Sequence, residues 1–362
     1  MDFINTLKFF GIIAIFTFFL TVLLIMVAQN IFPKIGLMDR PHKYGYKRKP
    51  IPYYGGLIIF ISFLISVIVF VPMGRDVYGV LAGAFLIVAV GFLDDLVGVK
   101  PIIRLFVQAL AAFLLVVAGI GLLSFKIPFI GVLELNQILF DFEFFGHVFN
   151  ISVLSGIFVL GWVMLLINSI NFLDGVPGLT SGVSGIAAFA IFLLSIHPGI
   201  HEDPSSQFGV ATLALIVSML GFAFAFFDFP KPSILMGDSG STFFGFMLAV
   251  LAVFSGGKVA TAFLVLGIPV LDLGWVVVRR TLEGRKFWHG DLMHMHHRFL
   301  YYGLSKRQTV LAYYLIALVF GATSVMFVDT QQKIFIIISL FVLMVLLAMM
   351  VVLGDKRKKS TK

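Results

Sequence analysis

Residues 7–32 read LKFFGIIAIFTFFLTVLLIMVAQNIF, and from Phe9 onward the stretch carries no charged side chain. About 20 such residues, rising ~1.5 Å each as a helix, cross the ~30 Å hydrocarbon core of a bilayer. The apolar run is too long for a cleaved signal peptide. Its basic start is Lys8 alone, and no small-x-small cleavage site follows, so the stretch is expected to stay as a first span.

The same texture recurs along the chain. Eleven apolar segments are long enough, or nearly so, to span: 7–32, 54–73, 78–93, 102–124, 151–169, 178–196, 207–227, 241–256, 259–278, 308–328 and 331–353, the third and eighth being short. Composition agrees. The chain of 362 residues is 60% hydrophobic and 12% charged, whereas soluble domains are about half apolar and about a quarter charged. That excludes a soluble globule, a disordered tail, a fibrous protein and a small secreted scaffold. The expectation is an all-α polytopic membrane protein of about 11 transmembrane helices, forming a single domain over 1–362. With no Cys, disulfides, Cys-ligated zinc and iron–sulfur clusters are excluded.

Basic residues give the direction. With the N-terminus outside, 21 of the 26 Lys and Arg fall in inside segments or the tail from 354, and five fall outside. This asymmetry is the positive-inside signature of a plasma-membrane protein with its C-terminus in the cytoplasm. The net charge of +8 is thereby read as orientation, and no basic–aromatic groove for nucleic acid is evident. The basic tail 354–362 reads as a stop-transfer anchor at the anionic inner leaflet. No inverted repeat is evident, which disfavours the usual secondary-transporter plan.

Polar groups near spans are costly, and so are functional candidates. Here they gather on the inside face. Asp94 and Asp95 end the third span, where the helix dipole disfavours anions; Lys100 or a divalent cation would offset them. Asn168, Asn171 and Asp174 follow the fifth span at i, i+3 and i+6. They read either as one helix face offering hard oxygens to Mg²⁺ or a polar substrate, or as a plain turn. Gly237-Asp238-Ser239-Gly240-Ser241 opens the eighth span as a glycine turn at a helix N-terminus. That suits phosphate or a metal, though an ordinary cap reads the same way, and the pattern is not a P-loop. His294, His296, His297 and Arg298 crowd the last inside loop, near His289 and Asp291. They read as a solvated basic loop, a zinc site, or cations for a phosphate. Lys49 precedes a Pro turn and Gly55-Gly56. Asp272 lies near the inner end of the ninth span. Acids for Mg²⁺ and bases for phosphate at a lipid–cytosol boundary are the layout for phosphoryl transfer from a soluble donor to a lipid acceptor.

In these motifs the chain resembles the polyprenyl-phosphate N-acetylhexosamine-1-phosphate transferases of glycosyltransferase family 4, over about residues 35–310. The motifs are Lys49-Pro50-Ile51-Pro52 with Gly55-Gly56; Asp94-Asp95 with Lys100; Asn168, Asn171, Asp174 and Gly175; Met236 to Ser241; and Asp291 with His294-Met295-His296-His297-Arg298, then Gly303-Leu304-Ser305. The His-x-His-His form looks closest to the undecaprenyl-phosphate N-acetylglucosamine branch. The runner-up is the phospho-N-acetylmuramoyl-pentapeptide transferase branch, and the rival of another class is a transporter or lipid flippase.

The resemblance implies transfer of N-acetylhexosamine-1-phosphate from a UDP-sugar to polyprenyl phosphate, releasing UMP. This is the step that starts a cell-envelope glycan such as wall teichoic acid or lipopolysaccharide O-antigen. It implies Mg²⁺, with Mn²⁺ as a substitute, and a homodimer. It implies Asp238 as metal ligand, with Asp94 and Asp95 holding metal or activating the lipid phosphate. Asn171 and Asp174 would order the diphosphate site. Lys49, Lys100, Asn168, His294, His296, His297 and Arg298 would contact substrate or phosphate. Two departures stand out. The family usually reads Asp-Gly-x-Asp-Gly where this chain has Asp174-Gly175-Val176-Pro177-Gly178, and Asp228 stands where Asn is common.

Overall fold

A computed structural model describes residues 3–41, 48–127, 131–144, 147–197, 207–254, 266–267, 269–274 and 295–327, with single positions at 332, 335, 336, 338, 339 and 342. Helices dominate. Among the described residues six are long and apolar enough to cross a membrane: α1 (Phe3–Ile35), α3 (Arg75–Val97), α5 (Val153–Leu173), α7 (Phe208–Asp228), α8 (Gly237–Phe254) and α10 (Lys306–Met326). Three apolar helices are shorter, α2 (Gly55–Phe70), α4 (Pro101–Val117) and α6 (Leu179–Ser195), and a short α9 (Met295–Tyr301) precedes α10. The chain is a polytopic membrane protein.

The third and eighth segments prove longer than their apolar runs. Each helix takes in polar residues at one end, Asp94 and Asp95 in α3 and Asp238 to Ser241 in α8. A hydropathy reading stops at a charge, whereas a helix whose charges find partners continues. The ninth segment, 259–278, lies largely outside the described residues, as do the eleventh, 331–353, and the tail.

The all-α expectation needs correction between α4 and α5. There the chain forms two antiparallel hairpins, β1 (Ser124–Ile127) with β2 (Gly131–Glu134) and β3 (Leu139–Phe144) with β4 (His147–Ser152). Phe140, Phe142 and Phe144 alternate with Asp141 and Glu143, the period of a strand. The fourth segment, expected to run to 124, accordingly ends as helix at Val117.

Local signals place the helix ends. Gly98, at φ +76°, stops α3 with a left-handed residue that any Cβ would strain. Pro101 at the first position starts α4, where a missing N–H costs nothing. Ser305 and Gln308 close a capping box on α10.

The centre of the bundle is α8, buried along nearly its whole length and packed against α2, α3, α5 and α6. Glycines let the backbones meet there. A Cβ at Gly91 of α3 would sit 2.5 Å from the Ser239 Cα, and one at Gly56 of α2 would overlap the backbone of Gly240. Close backbone approach of this kind drives helix association where lipid leaves no hydrophobic gradient between helices. Among the described residues, the polar motifs lie at one end of the bundle. The hairpins lie at the other, where the Leu122 N–H donates to Ser155 Oγ at 2.8 Å.

Candidate active site

The Pro turn comes first. The Asp39 N–H donates to the Ile51 carbonyl at 3.0 Å, and the Ile51 N–H to Asp39 Oδ1 at 2.7 Å. Arg48 pairs with Asp39 at 2.5 Å. The turn then zips onto the entry of α8, with Leu235 N donating to Pro52 O, Gly55 N to Leu235 O and Gly56 N to Met236 O, each at 2.9 Å. Tyr54 sits between at φ +73°, a strained position for a residue with a Cβ, and packs edge-on against Phe92. This strapping carries Tyr53 to the acids, where its hydroxyl donates to Asp95 Oδ1 at 2.8 Å. Burial, with the negative charge of Asp95, pushes the Tyr53 phenol well up, so it stays a donor.

Asp95 faces the N-terminus of α8. Its carboxylate accepts from the backbone N–H of Asp238 at 2.9 Å and of Ser239 at 3.2 Å, and from Ser239 Oγ at 3.0 Å. With Tyr53 that makes four donors on two oxygens. The anion that the α3 dipole disfavours is stabilised by the dipole of a second helix. Asp94 points elsewhere. It accepts from the Val99 N–H at 2.6 Å and pairs with Arg104 at 2.5 Å. Arg104 reaches Asp238 at 3.1 Å as well. The side chain that answers Asp94 is therefore Arg104, one turn into α4, rather than Lys100. Lys100 is the backbone N-cap of α4 and its side chain is exposed. Arg104 follows close behind Asp94 and Asp95 in the chain, but its pairing with Asp94 and Asp238 exists only once α4 has packed against α3 and α8.

The fifth span continues as helix past its predicted end, so Asn168 and Asn171 do share a helix, with Asp174 just beyond it as C-cap. Their partners differ. The Asn171 amide donates to Asp238 Oδ1 at 3.2 Å and to Ser241 Oγ at 3.0 Å. Asn168 donates to Gln108 on α4 at 2.9 Å. Gln108, Arg104, Asp94, Asp238 and Thr242 line one cleft with Gly91. Asp174 belongs to the following turn. Burial, then the charges of Asp228 and Asp238, hold its carboxyl well above the usual carboxylate range. Both readings of this motif thus apply, helix face for the two Asn and turn for the Asp.

His296 is buried, and its ring lies over Gly175, where any Cβ would collide with it. The His297 ring lies against it, tilted by 45° with centroids 4.2 Å apart, and Arg298 is buried one residue further on. Asp272 accepts from the Met295 N–H at 3.0 Å and so anchors the start of α9. His289, Asp291 and His294 lie outside the described residues. Lys49 is exposed.

The donors can be weighed against a divalent cation. Among the described residues no three His, Asp or Glu side chains converge to cage a metal. Two carboxylates, Asp94 and Asp238, share one guanidinium. Mg²⁺ is held by one or two carboxylates, with waters and substrate phosphates completing its shell. The pair fits that arrangement.

Comparison with known proteins completes the picture. The glycosyl transferase family 4 profile matches residues 77–256, from α3 to just beyond α8. A probable undecaprenyl-phosphate N-acetylglucosaminyl 1-phosphate transferase of Bacillus subtilis (strain 168) is 28% identical over 352 residues, 95% of this chain and 91% of the relative. A decaprenyl-phosphate N-acetylglucosaminephosphotransferase of Mycobacterium tuberculosis (strain CDC 1551 / Oshkosh) is 29% identical over 350 residues, 88% of this chain and 82% of the relative. An undecaprenyl-phosphate alpha-N-acetylglucosaminyl 1-phosphate transferase of Escherichia coli (strain K12) is 26% identical over 325 residues, 87% and 82% of the two chains. The matched span holds Asp94, Asp95, Arg104, Asn171 and Asp238 together, and with those residues at its centre the chain belongs to glycosyl transferase family 4.

Proposed function

We propose that the protein transfers N-acetylglucosamine-1-phosphate from UDP-N-acetylglucosamine to undecaprenyl phosphate. An oxygen of the lipid phosphate attacks the sugar-bearing phosphorus of the donor. The bond between the two donor phosphates breaks, the leaving oxygen departs on UMP, and a lipid-linked diphosphosugar remains. No covalent enzyme intermediate is needed. The observation that carries the reading is the acid–guanidinium–acid cluster of Asp94, Arg104 and Asp238 where α3, α4 and α8 meet. The relatives' names support the substrates.

In this reading Asp238 and Asp94 hold Mg²⁺, which when bound neutralises diphosphate charge. Arg104, displaced from Asp238, turns to a phosphate oxygen as a fork-shaped donor. Asn171 keeps Asp238 aimed. Asp95 does not hold metal, because its oxygens are engaged with the α8 N-terminus and Tyr53, and its work is to fix Asp238 in place. Positioning and charge neutralisation of this kind supply most of the catalysis in phosphoryl transfer. His296 packs against the Asp174 turn, and Arg298 adds positive charge on the same short helix. The site faces the cytoplasm of an eleven-span protein with its N-terminus outside, in line with the basic-residue asymmetry.

The test is purified protein in detergent with undecaprenyl phosphate, Mg²⁺ and labelled UDP-N-acetylglucosamine, following UMP release and lipid-linked label. Label moving to lipid, and lost in Asp238→Ala, supports the reading. No transfer from this or any other UDP-N-acetylhexosamine, UDP-MurNAc-pentapeptide included, refutes it.

A further inference from the structure

A relay of amides runs from α5 into the cleft, and its polarity is fixed at one end. The Asn168 Nδ2 donates to the Met164 carbonyl of its own helix at 2.7 Å and to Gln108 Oε1 on α4 at 2.9 Å. A backbone carbonyl can only accept, so the atom of Asn168 that faces it is the nitrogen. Both hydrogens of that nitrogen are then engaged, and the atom of Gln108 that faces Asn168 has to be the oxygen. The Gln108 Nε2 is turned away from α5 as a result. Gln108 is 3% exposed and lines the cleft with Arg104, Asp94 and Asp238. Among the described residues no group accepts from its Nε2. Gln108 stands one turn after Arg104 on the same face of α4, ~6 Å further along the axis and away from Lys100. A carboxamide held there with its donors unanswered is costly, and is a functional candidate for that reason.

We propose that Gln108 is a substrate-binding residue, its Nε2 donating to an oxygen of the phosphate that Arg104 also takes, and that Asn168 is the positioning residue that keeps the donor side of this amide in the cleft. The ligand class is an anionic phosphate. Its oxygens only accept, so a wall that offers N–H groups matches them, and a wall that offered the Gln108 carbonyl would repel them. A neutral amide suits the deeper station. It directs the phosphate without adding a second buried cation that would pair with Asp94 or Asp238 and oppose Mg²⁺. Depth points to the lipid acceptor, whose phosphate enters from the membrane side, whereas a nucleotide enters from the water side.

This inference deepens the proposed transferase reading and rests on it. The variants are Gln108→Met, Gln108→Glu and Asn168→Asp, each checked for folding by thermal unfolding in detergent. Gln108→Met removes the donor without adding charge. Gln108→Glu keeps an oxygen facing Asn168 and loses only the donor in the cleft. Asn168→Asp lets the Gln108 amide turn over, its nitrogen answering the new carboxylate and its oxygen facing the cleft. KM and kcat are measured with undecaprenyl phosphate and UDP-N-acetylglucosamine varied in turn. We expect all three variants to raise KM for undecaprenyl phosphate about tenfold, with kcat and donor KM within about threefold of wild type. Tenfold corresponds to ~1.4 kcal/mol, near the low end for a hydrogen bond to a charged group. Asn168→Asp added to Gln108→Met should raise that KM no further, because Asn168 acts only through the amide. A rise confined to the donor KM supports the amide–phosphate contact and assigns it to the donor diphosphate. Wild-type KM for both substrates in Gln108→Met, or a Gln108→Glu protein that behaves as wild type while Gln108→Met is impaired, overturns the proposal and leaves a bond between helices only. If wild type transfers nothing, the transferase reading falls and this inference with it; transfer by wild type with unmoved KM in the variants sinks this inference alone.

Discussion

Removing the Arg104 guanidinium tests the site most directly. Arg104 is 27% exposed, Asp94 11% and Asp238 34%, so the cluster lies between a surface ion pair, about 0.2–1 kcal/mol, and a buried one, about 3–5 kcal/mol when one partner is deleted. We take about 2 kcal/mol for Arg104→Gln, a fall of about 4 °C in the unfolding midpoint at roughly 2 °C per kcal/mol for a long chain. The second effect has the opposite sign. In the wild type a cation has to displace Arg104 from Asp238, a 3.1 Å contact costing about 1.4 kcal/mol to break. Arg104→Gln should therefore bind Mg²⁺ about tenfold more tightly, read as the Mg²⁺ concentration that gives half of the thermal stabilisation, while transfer falls by at least about a hundredfold. Arg104→Lys should keep the stability and lose most of the rate, because a point charge does not reproduce the fork. Unchanged Mg²⁺ affinity in Arg104→Gln, or full activity, would refute the idea that Arg104 holds the cation site and hands over to phosphate.

Asp95→Ala should cost about 3 kcal/mol or more, since four donors lose one acceptor, and Asp95→Asn should fall between it and wild type in a thermal scan. Gly91→Ala drives a methyl into the Ser239 backbone; it should destabilise by about 1–3 kcal/mol and depress transfer, whereas Ala at the unobstructed Gly161 should be neutral in both assays. Tyr53→Phe should reduce kcat several-fold without flattening or moving the pH–rate profile between 6 and 9, because the phenol does not ionise there. Asp174, whose carboxyl sits above its unfolded value, binds a proton more tightly when folded. Its contribution to stability is therefore present at low pH and is lost as pH rises from about 4 through the raised folded value. Metal-free protein should show this decline in midpoint, and Asp174→Asn should flatten it.

Among the described residues, most helix positions and the gathering of Asp94, Asp95, Asn171 and Asp238 at one end were legible in the chain. A bilayer admits only self-satisfied helices of a set length, and it pushes charge to their ends. Asp94, Asp95, Asn171 and Asp238 could be picked out for that reason, each standing where a charge or amide has no other excuse. The hairpins between α4 and α5 were missed because a 20-residue hydropathy window averages away an alternation of period two. Partnership was decided only by tertiary structure. Whether Lys100 or Arg104 answers the acids depends on the angle at which α4 leaves Gly98. Whether Asp95 is a metal ligand or a helix cap depends on the start of α8, 143 residues further along the chain. Asp228 meets the Gly178 N–H only once α7 and the α6 turn are placed side by side. Local pattern records which groups cannot be left alone in a membrane. The groups that satisfy them come from elsewhere in the chain, through short-range contacts that exist only once the helices have packed.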